Sequence, residues 1–494
     1  MNAILTPVGS AGDVNPFVML GRELRRRGHG VTIMAPDVFR GVVTGAGLTF
    51  ASTGTVEDYD RVTRDRDLWD PKRGAAVVFR EIAAHLRDAY RLLEQLYIPR
   101  DTMLVGHSLS LFTRAFEEKH AVASATVHLA PSIFRSDYRQ PVWPSGQDIT
   151  NWPRLAKRAI WWIVDRLAVD RHITPALNSW RSELGLPPVS RVLKSWLHSP
   201  QGVIGLFPEW FGEPQSDWPS QTRLTGFVLS DDSCSPAPTS HDTLDLERFL
   251  SVGDRPIVFT PGTANRHAAA FFRVACEATA AMRRRALFVT PYREHLPTVL
   301  PPHVCHVSYA SFSTLLPRAA AIVHHGGIGT CAQGIAGGVP QLVVPMGFDQ
   351  PDNGARLKRL SLADVLPPSS FSSTNAASAI TRLTSSEKIA TACLERSAAI
   401  RNDDAIVRSC DLLEEGFRNS MRREGAPGLN IFQARRMHGC AAGPAKCGET
   451  SVALPISRRL RRDPGKRRRN RSHGPNSGFG GKLIDSEEKP CPND

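Results

Sequence analysis

Several things are missing from this chain, and each absence closes a door. No apolar run nears the roughly 20 residues that a bilayer crossing needs. The opening MNAILTPVGS lacks the charged start and apolar centre of a secretory leader. Nine cysteines, at 234, 276, 305, 331, 393, 410, 440, 447 and 491, include no C-x-x-C pair and no metal-like spacing to histidine. Free thiols in a reducing compartment follow, and with them the expectation of a cytoplasmic protein. A nucleophile elbow G-x-S-x-G is nearly present at Gly106, His107, Ser108, Leu109 and Ser110, but Ser110 stands where only glycine fits the cramped turn well. That stretch reads as a strand-end loop facing a cleft rather than as a Ser108 nucleophile.

What is present is ordinary in bulk: 41% hydrophobic and 22% charged residues, as in a soluble globular protein. The net charge of +13 would suggest nucleic acid. However, residues 419–494 hold 16 Lys and Arg against 7 Asp and Glu, so +9 belongs to the tail and +4 to the first 418 residues. Clusters such as Arg458 to Arg462 and Lys466 to Arg471 lie among Gly, Pro and Ser with little to bury, so this tail is expected to be disordered. Nucleic-acid or anionic-membrane attraction would be a property of the tail alone.

At 494 residues the chain should hold two domains plus extras. Ala3 to Thr6 reads as a strand, Pro7 to Asn15 as a glycine-punctuated turn, Pro16 to Gly28 as a helix and Val31 to Ala35 as the next strand. Thr102 to Gly106 and Val203 to Phe207 are further strands. Between residues 140 and 200 stand six of the nine tryptophans. There Leu155 to Leu167 is a basic amphipathic helix, read either as packing on a sheet or as a hydrophobic acceptor pocket or membrane-surface contact. Ser230 to Thr243 looks like an interdomain linker. Strands at Pro256 to Thr260, Ala286 to Thr290 and Cys305 to Tyr309 then alternate with helices, and a helical stretch from Glu387 to Phe417 closes the pattern. The expected organisation is an α/β chain with a Rossmann-like domain over 1–229, a linker over 230–254, a second such domain over 255–418 and the tail over 419–494.

The most informative stretch is Ala319 to Arg356, AAAIVHHGGIGTCAQGIAGGVPQLVVPMGFDQPDNGAR. An apolar strand stops at His324, His325, Gly326 and Gly327, and small residues follow, so a helix begins with its first N–H groups bare. That end is a ready anion site. The second strand, Gln341 to Pro345, delivers Asp349 and Gln350 just past its end, where open parallel sheets place ligand-contacting groups. Gly327, Gly329 and Ala332 also satisfy G-x-G-x-x-A with Asp349 20 residues beyond Gly329. An NAD-dependent oxidoreductase is therefore a rival, although Met346, Gly347 and Phe348 stand between Asp349 and the strand.

This segment resembles the sugar-nucleotide signature of family 1 glycosyltransferases, in particular the bacterial branch of rhamnosyltransferases and sterol or antibiotic glycosyltransferases. GSAGDVNP, LGREL and RRGHGVTIMAP resemble the same branch at its N-terminus. The resemblance implies the GT-B architecture of two facing doubly wound domains, with a last helix that crosses back onto the first. It implies that His324 contacts the donor diphosphate, that Gly326, Gly327, Gly329 and Thr330 wrap it, and that Asp349 and Gln350 hydrogen-bond sugar hydroxyls. Gly12 and Thr263 face the donor as well, and the base is read by backbone near Val307 to Ser311. Many relatives carry histidine where this chain has Asp13, so the base is expected to be Asp13, against the plainer reading of a helix-capping acid. The implied reaction is inverting, metal-independent transfer of a hexose from a UDP- or dTDP-linked donor to a hydroxyl of a lipid, sterol or polyketide-like acceptor, with no cofactor beyond the nucleotide sugar. A metal-dependent transferase would want a D-x-D at a strand end, and Asp65-Arg66-Asp67 lies in a polar stretch flanked by arginines. Expected partners are the nucleotide sugar, the hydrophobic acceptor and the inner membrane face, with no specific nucleic acid. The non-enzymatic rival is a tail-driven nucleic-acid or membrane-binding protein with an inactive core.

Overall fold

Two fully parallel sheets organise the chain in a computed structural model that describes residues 1–229, 240–401 and 403–425. The first lobe runs β1 (Asn2–Thr6), α1 (Ala11–Arg26), β2 (Gly30–Ala35), α2 (Arg40–Gly45), β3 (Thr49–Ser52), α3 (Val56–Arg64), α4 (Gly74–Leu96), β4 (Thr102–His107), α5 (Leu111–His120) and β5 (Ala123–His128). It continues through α6 (Arg154–Val164), α7 (Asp170–Glu183), β6 (Val203–Gly205) and β7 (Thr222–Leu224). The second lobe holds α8 (Ser240–Ser251), β8 (Ile257–Thr260), α9 (Ala269–Ala281), β9 (Ala286–Val289), β10 (Val304–Val307), α10 (Phe312–Leu315) and β11 (Ala321–His324). It ends with α11 (Ile328–Ala336), β12 (Gln341–Val343), α12 (Gln350–Arg359), β13 (Ala363–Val365), α13 (Ser373–Ser385), α14 (Glu387–Arg401) and α15 (Ala405–Gly425).

Strand order is β3-β2-β1-β4-β5-β6-β7 in the first sheet and β10-β9-β8-β11-β12-β13 in the second. Central strands such as β4 and β5 are buried at every position, as parallel strands covered by helices on both faces must be. In each sheet the order reverses beside the first strand, between β1 and β4 and between β8 and β11. Such reversals open a crevice at the C-terminal strand ends, where α/β folds bind ligands.

The lobes pack as one compact unit spanning Met1–Pro427. Phe134, Phe207, Phe211 and Phe227 of the first share an apolar cluster with Cys331, Ile335 and Leu357 of the second. The final helix crosses back: Ala405, Cys410 and Leu413 of α15 enter the core around Phe17 and Leu20, and His29 sits 2.8 Å from Glu414.

Three expectations are corrected. α1 starts at Ala11, five residues before Pro16, because Ser10 and Asp13 form a reciprocal capping box. Of the linker 230–254, residues 230–239 lie outside the described residues, while α8 puts Leu246, Phe249 and Leu250 against the second sheet's core. The tail expected from 419 begins no earlier than the end of α15 at Gly425, and 426–494 lie outside the described residues. No described helix is long and apolar enough to cross a membrane.

Candidate functional site

Both switch points carry a strand, a glycine turn and a helix, and the two helix N-termini meet. Ile328, the first residue of α11, packs against the core that holds Val14 and Phe17 of α1. On the first side, the Asp13 carboxylate folds back under its own turn. Its Oδ2 accepts the Ser10 N–H at 2.7 Å and the Ser10 hydroxyl at 3.0 Å. Gly9, at φ +134°, is required here, since a Cβ would lie 2.3 Å from that oxygen. Burial pushes the carboxyl up to about 6 despite the Ser10 bonds. Asp13 is thus a capping acid, as the plainer reading held, and at the same time a carboxyl poised near neutrality. Gly12 beside it is exposed on the first turn.

The second side differs. α11 begins at the N-cap Gly327, with no side-chain cap and no acid in its first turn. A Cβ at Gly329 would meet nothing within 4 Å, so open space lies over the helix end beside Thr330. Gly326, at φ +91°, is pressed against the Gln350 carbonyl, which a Cβ would approach to 3.1 Å.

His324 is corrected by this geometry. It is the last residue of β11, fully buried; its Nε2 donates to Gln341 Oε1 at 2.9 Å and its Nδ1 accepts the Gly326 N–H at 3.1 Å. Burial lowers its pKa to about 3, so the ring is neutral and spent on holding the turn. His325, one residue outside the strand, is the imidazole that stands in the turn ahead of α11. Its Nδ1 is buried without a hydrogen-bond partner among the described residues, and its ring fills the space left by Gly262 and Gly327, where Cβ atoms would stand 2.7 and 2.5 Å away. Burial holds it neutral, with a pKa near 4. Thr263 is exposed beside Gly262, its carbonyl accepting the Tyr292 hydroxyl at 2.6 Å.

Asp349 is the N-cap of α12 and accepts the Asn353 amide at 2.7 Å. Burial raises its pKa to about 7, opposed by the Asn353 bond and assisted by Asp13 across the cleft. The two carboxyls therefore feel one another, as groups lining one crevice do. Lying six residues past Val343, Asp349 is displaced from the strand tip where a dinucleotide fold sets its ribose-binding acid, which counts against the NAD reading. Gln350 is also corrected in part: its buried side-chain amide oxygen Oε1 accepts the N–H groups of Met346 at 2.8 Å and Gly347 at 3.2 Å, so this end shapes the loop instead of meeting a ligand.

Sequence reading missed several residues. Asn353 bridges Asp349 and the Gly326 carbonyl, the latter at 3.0 Å, and its i,i+4 spacing from Asp349 was the available signal. Arg266 pairs with Asp60 of the opposite lobe and lies 4.3 Å over the Tyr292 ring. Phe348 adopts φ +54°, unusual for an aromatic residue, and its ring sits edge-on to Trp69 of the first lobe at 5.6 Å. No local pattern announces these cross-lobe contacts. The D-x-D acids are claimed by arginines: Asp65 by Arg80 and Asp67 by Arg73. Asp58, Glu81 and His85 gather closely enough for a metal, but the Arg61 guanidinium already bonds both acids at 3.0 Å. Ser108 is buried, 3.4 Å from His107 Nε2.

Known proteins resemble this chain in sequence and in fold. Residues 3–96 match the glycosyltransferase family 28 N-terminal domain, and residues 288–408 match the erythromycin biosynthesis protein CIII-like C-terminal domain. The O-mycaminosyltylonolide 6-deoxyallosyltransferase of Streptomyces fradiae is 29% identical over 437 residues, covering 84% of this chain and 97% of that protein. Glycosyltransferase GtfE of Amycolatopsis orientalis is 27% identical over 409 residues, covering 76% and 89%. Among solved structures, the glycotransferase of kitacinnamycin superposes with a TM-score of 0.64 at 17% identity, covering 84% of this chain and 99% of its own. The spinosyn rhamnosyltransferase SpnG complexed with thymidine diphosphate superposes with 0.59 at 19% identity, covering 83% and 100%.

Proposed function

From the premise that this chain belongs to the bacterial, antibiotic-type family 1 glycosyltransferases and has their GT-B fold, we propose the identity of its substrates and the roles of its residues. The chain moves a hexose from a nucleoside diphosphate sugar to a hydroxyl of a hydrophobic acceptor, with inversion and without a metal. The relative's name speaks of deoxyallosyl transfer, and SpnG was solved with thymidine diphosphate and with spinosyn aglycone. Both favour a dTDP-linked deoxyhexose over a UDP sugar, and an antibiotic-like aglycone over a sterol. The described cysteines form no disulfide with one another, which suits a cytoplasmic location.

One observation carries the reading: an acid with a raised pKa and an uncapped helix end open on one seam between the lobes. The acceptor oxygen forms its bond to the anomeric carbon as its proton passes to Asp13. The bond from that carbon to the diphosphate oxygen breaks, and the electron pair leaves with the diphosphate. Attack from the face opposite the leaving group inverts the centre. The charge on the diphosphate is met by the first N–H groups of α11 and by His325, donors already fixed in place. A helix end alone offers about 0.3 to 2 kcal/mol per charge, so the imidazole and the closing of the cleft must supply the rest. Asp349 is assigned to sugar hydroxyls, with Asn353 holding it in place.

Mass spectrometry of products from dTDP- and UDP-sugars offered with antibiotic, lipid and sterol acceptors tests this assignment, and NMR coupling at the anomeric carbon reads inversion. A glycosylated aglycone of inverted configuration is expected. Donor retention of configuration, or transfer only with added divalent cation, would overturn it.

A further inference from the structure

α6 is built inside out. Of its eleven residues only Lys157 is buried, its ammonium donating to the Tyr138 carbonyl at 2.7 Å, while Leu155, Ala159, Trp162 and Ile163 are exposed. Leu155 is 78% exposed, Trp162 54% and Leu167, one turn beyond the helix, 60%; Ile163 and the preceding Trp152 are exposed as well. Spacings of four, seven and eight from Leu155 put Ala159, Trp162 and Ile163 on one face.

Within this stretch the exposed charges have one sign, although Arg158 is paired at 3.4 Å with the half-buried Asp137 of a neighbouring segment. From Trp152 to Arg171 every exposed charged side chain is an arginine: Arg154, Arg158, Arg166 and Arg171. The acids of the stretch are turned inward, Asp165 in a buried ion pair with Arg135 and Asp170 accepting the N–H groups of Arg191 and Val192. Arg166 lies 5.5 Å over the Trp162 ring, which keeps a cation at the rim of the apolar surface.

We propose that this face, from Trp152 to Leu167, docks the protein on an anionic lipid surface. Apolar side chains including two tryptophans, interspersed in this stretch with exposed arginines and no exposed acid, match the boundary between acyl chains and negative headgroups. A second copy of the chain fits poorly, because a twofold contact would set four arginines against four. The proposal is independent of the transfer chemistry.

The test uses the full chain with phosphatidylglycerol-rich and with pure phosphatidylcholine vesicles, each carrying brominated acyl chains that quench tryptophan on contact. Residues 419–494 contain no tryptophan, so quenching reports on the folded part and is blind to attraction by the basic tail. Quenching is expected with the anionic vesicles, weakening as salt is raised, and lost when Trp152→Phe and Trp162→Phe are combined. Leu155→Glu with Leu167→Glu should abolish it, and Arg158→Gln should lower vesicle partition about fivefold. Unchanged nucleoside diphosphate affinity in each variant shows that the fold survives and separates this outcome from a failure of the donor assignment. Absence of quenching with the wild-type chain, quenching that survives the double glutamate variant, or a dimer in sedimentation that the same variant dissolves, would each overturn the proposal.

Discussion

The two glycine turns at the heart of the cleft are the same device put to opposite uses. Each follows the strand at a switch point, and each starts a helix. In the first lobe the helix end is satisfied from within, by Ser10 and by Asp13, whose carboxylate accepts two hydrogen bonds at the turn. In the second lobe no described side chain caps the first N–H groups of α11, and Gly329 leaves open space beside them. The lesson concerns charge: in the proposed mechanism an anion supplied by the chain in one lobe becomes the base, and an anion omitted in the other leaves room for the substrate's diphosphate.

Making the second turn like the first should have the largest effect. Gly329→Asp adds a carboxylate where a Cβ meets no neighbour. It should stabilise α11 by about 0.5 to 1 kcal/mol in denaturant titration while lowering nucleoside diphosphate affinity about a hundredfold or more by calorimetry. Retained affinity would show that the diphosphate binds elsewhere. Next, the adjacent histidines should separate cleanly. His325→Ala should weaken nucleoside diphosphate binding about tenfold or more, the loss of a hydrogen bond to a charged group, with stability nearly unchanged. His324→Ala should cost about 2 kcal/mol of stability, because it strands buried Gln341 and the Gly326 N–H.

The acid in the first turn predicts a pH limb. Asp13 must be ionised to accept a proton, so kcat/KM should fall about tenfold per pH unit below about 6 and flatten above it. The sign for stability is opposite. With the folded pKa above the ordinary 3.8, the folded state holds the proton more tightly, so this group adds stability as pH falls from 6 toward 3.8. Loss of rate on acidification would then precede any unfolding, a separation that circular dichroism over the same range checks. The smallest effect belongs to the seam. Phe348→Gly relieves a left-handed backbone but removes the ring that meets Trp69, two terms of about 1 kcal/mol each and opposite sign. Stability should barely move, while the donor KM rises about fivefold as the Asp349 loop loses its cross-lobe support.

Most of the architecture was legible because glycine and proline punctuate apolar runs of strand length. The start of α1 was misjudged because Pro16 looks like a first helical residue, whereas the Ser10 to Asp13 spacing carried the stronger signal. His324 is buried and hydrogen-bonded for a physical reason that one sequence does not display. β11 runs in register with Thr260 and Val343 as far as His324, so the strand itself buries that ring and only the next one is released to the turn. α8 was hidden by the composition of its N-terminal flank, although Leu246, Phe249 and Leu250 had helical spacing. Arg266, Asp60, Trp69 and Phe348 were beyond reach, since the two lobes must first be brought together for their contacts to exist.

The central claim is that an acid in one lobe activates the acceptor while a bare helix end in the other holds the leaving diphosphate. Turnover and nucleoside diphosphate affinity measured side by side on Asp13→Asn test it most directly. The account predicts a loss of about a hundredfold to ten-thousandfold in kcat with calorimetric affinity essentially that of the wild type. Near wild-type turnover, or an equal collapse of nucleotide binding, would contradict it.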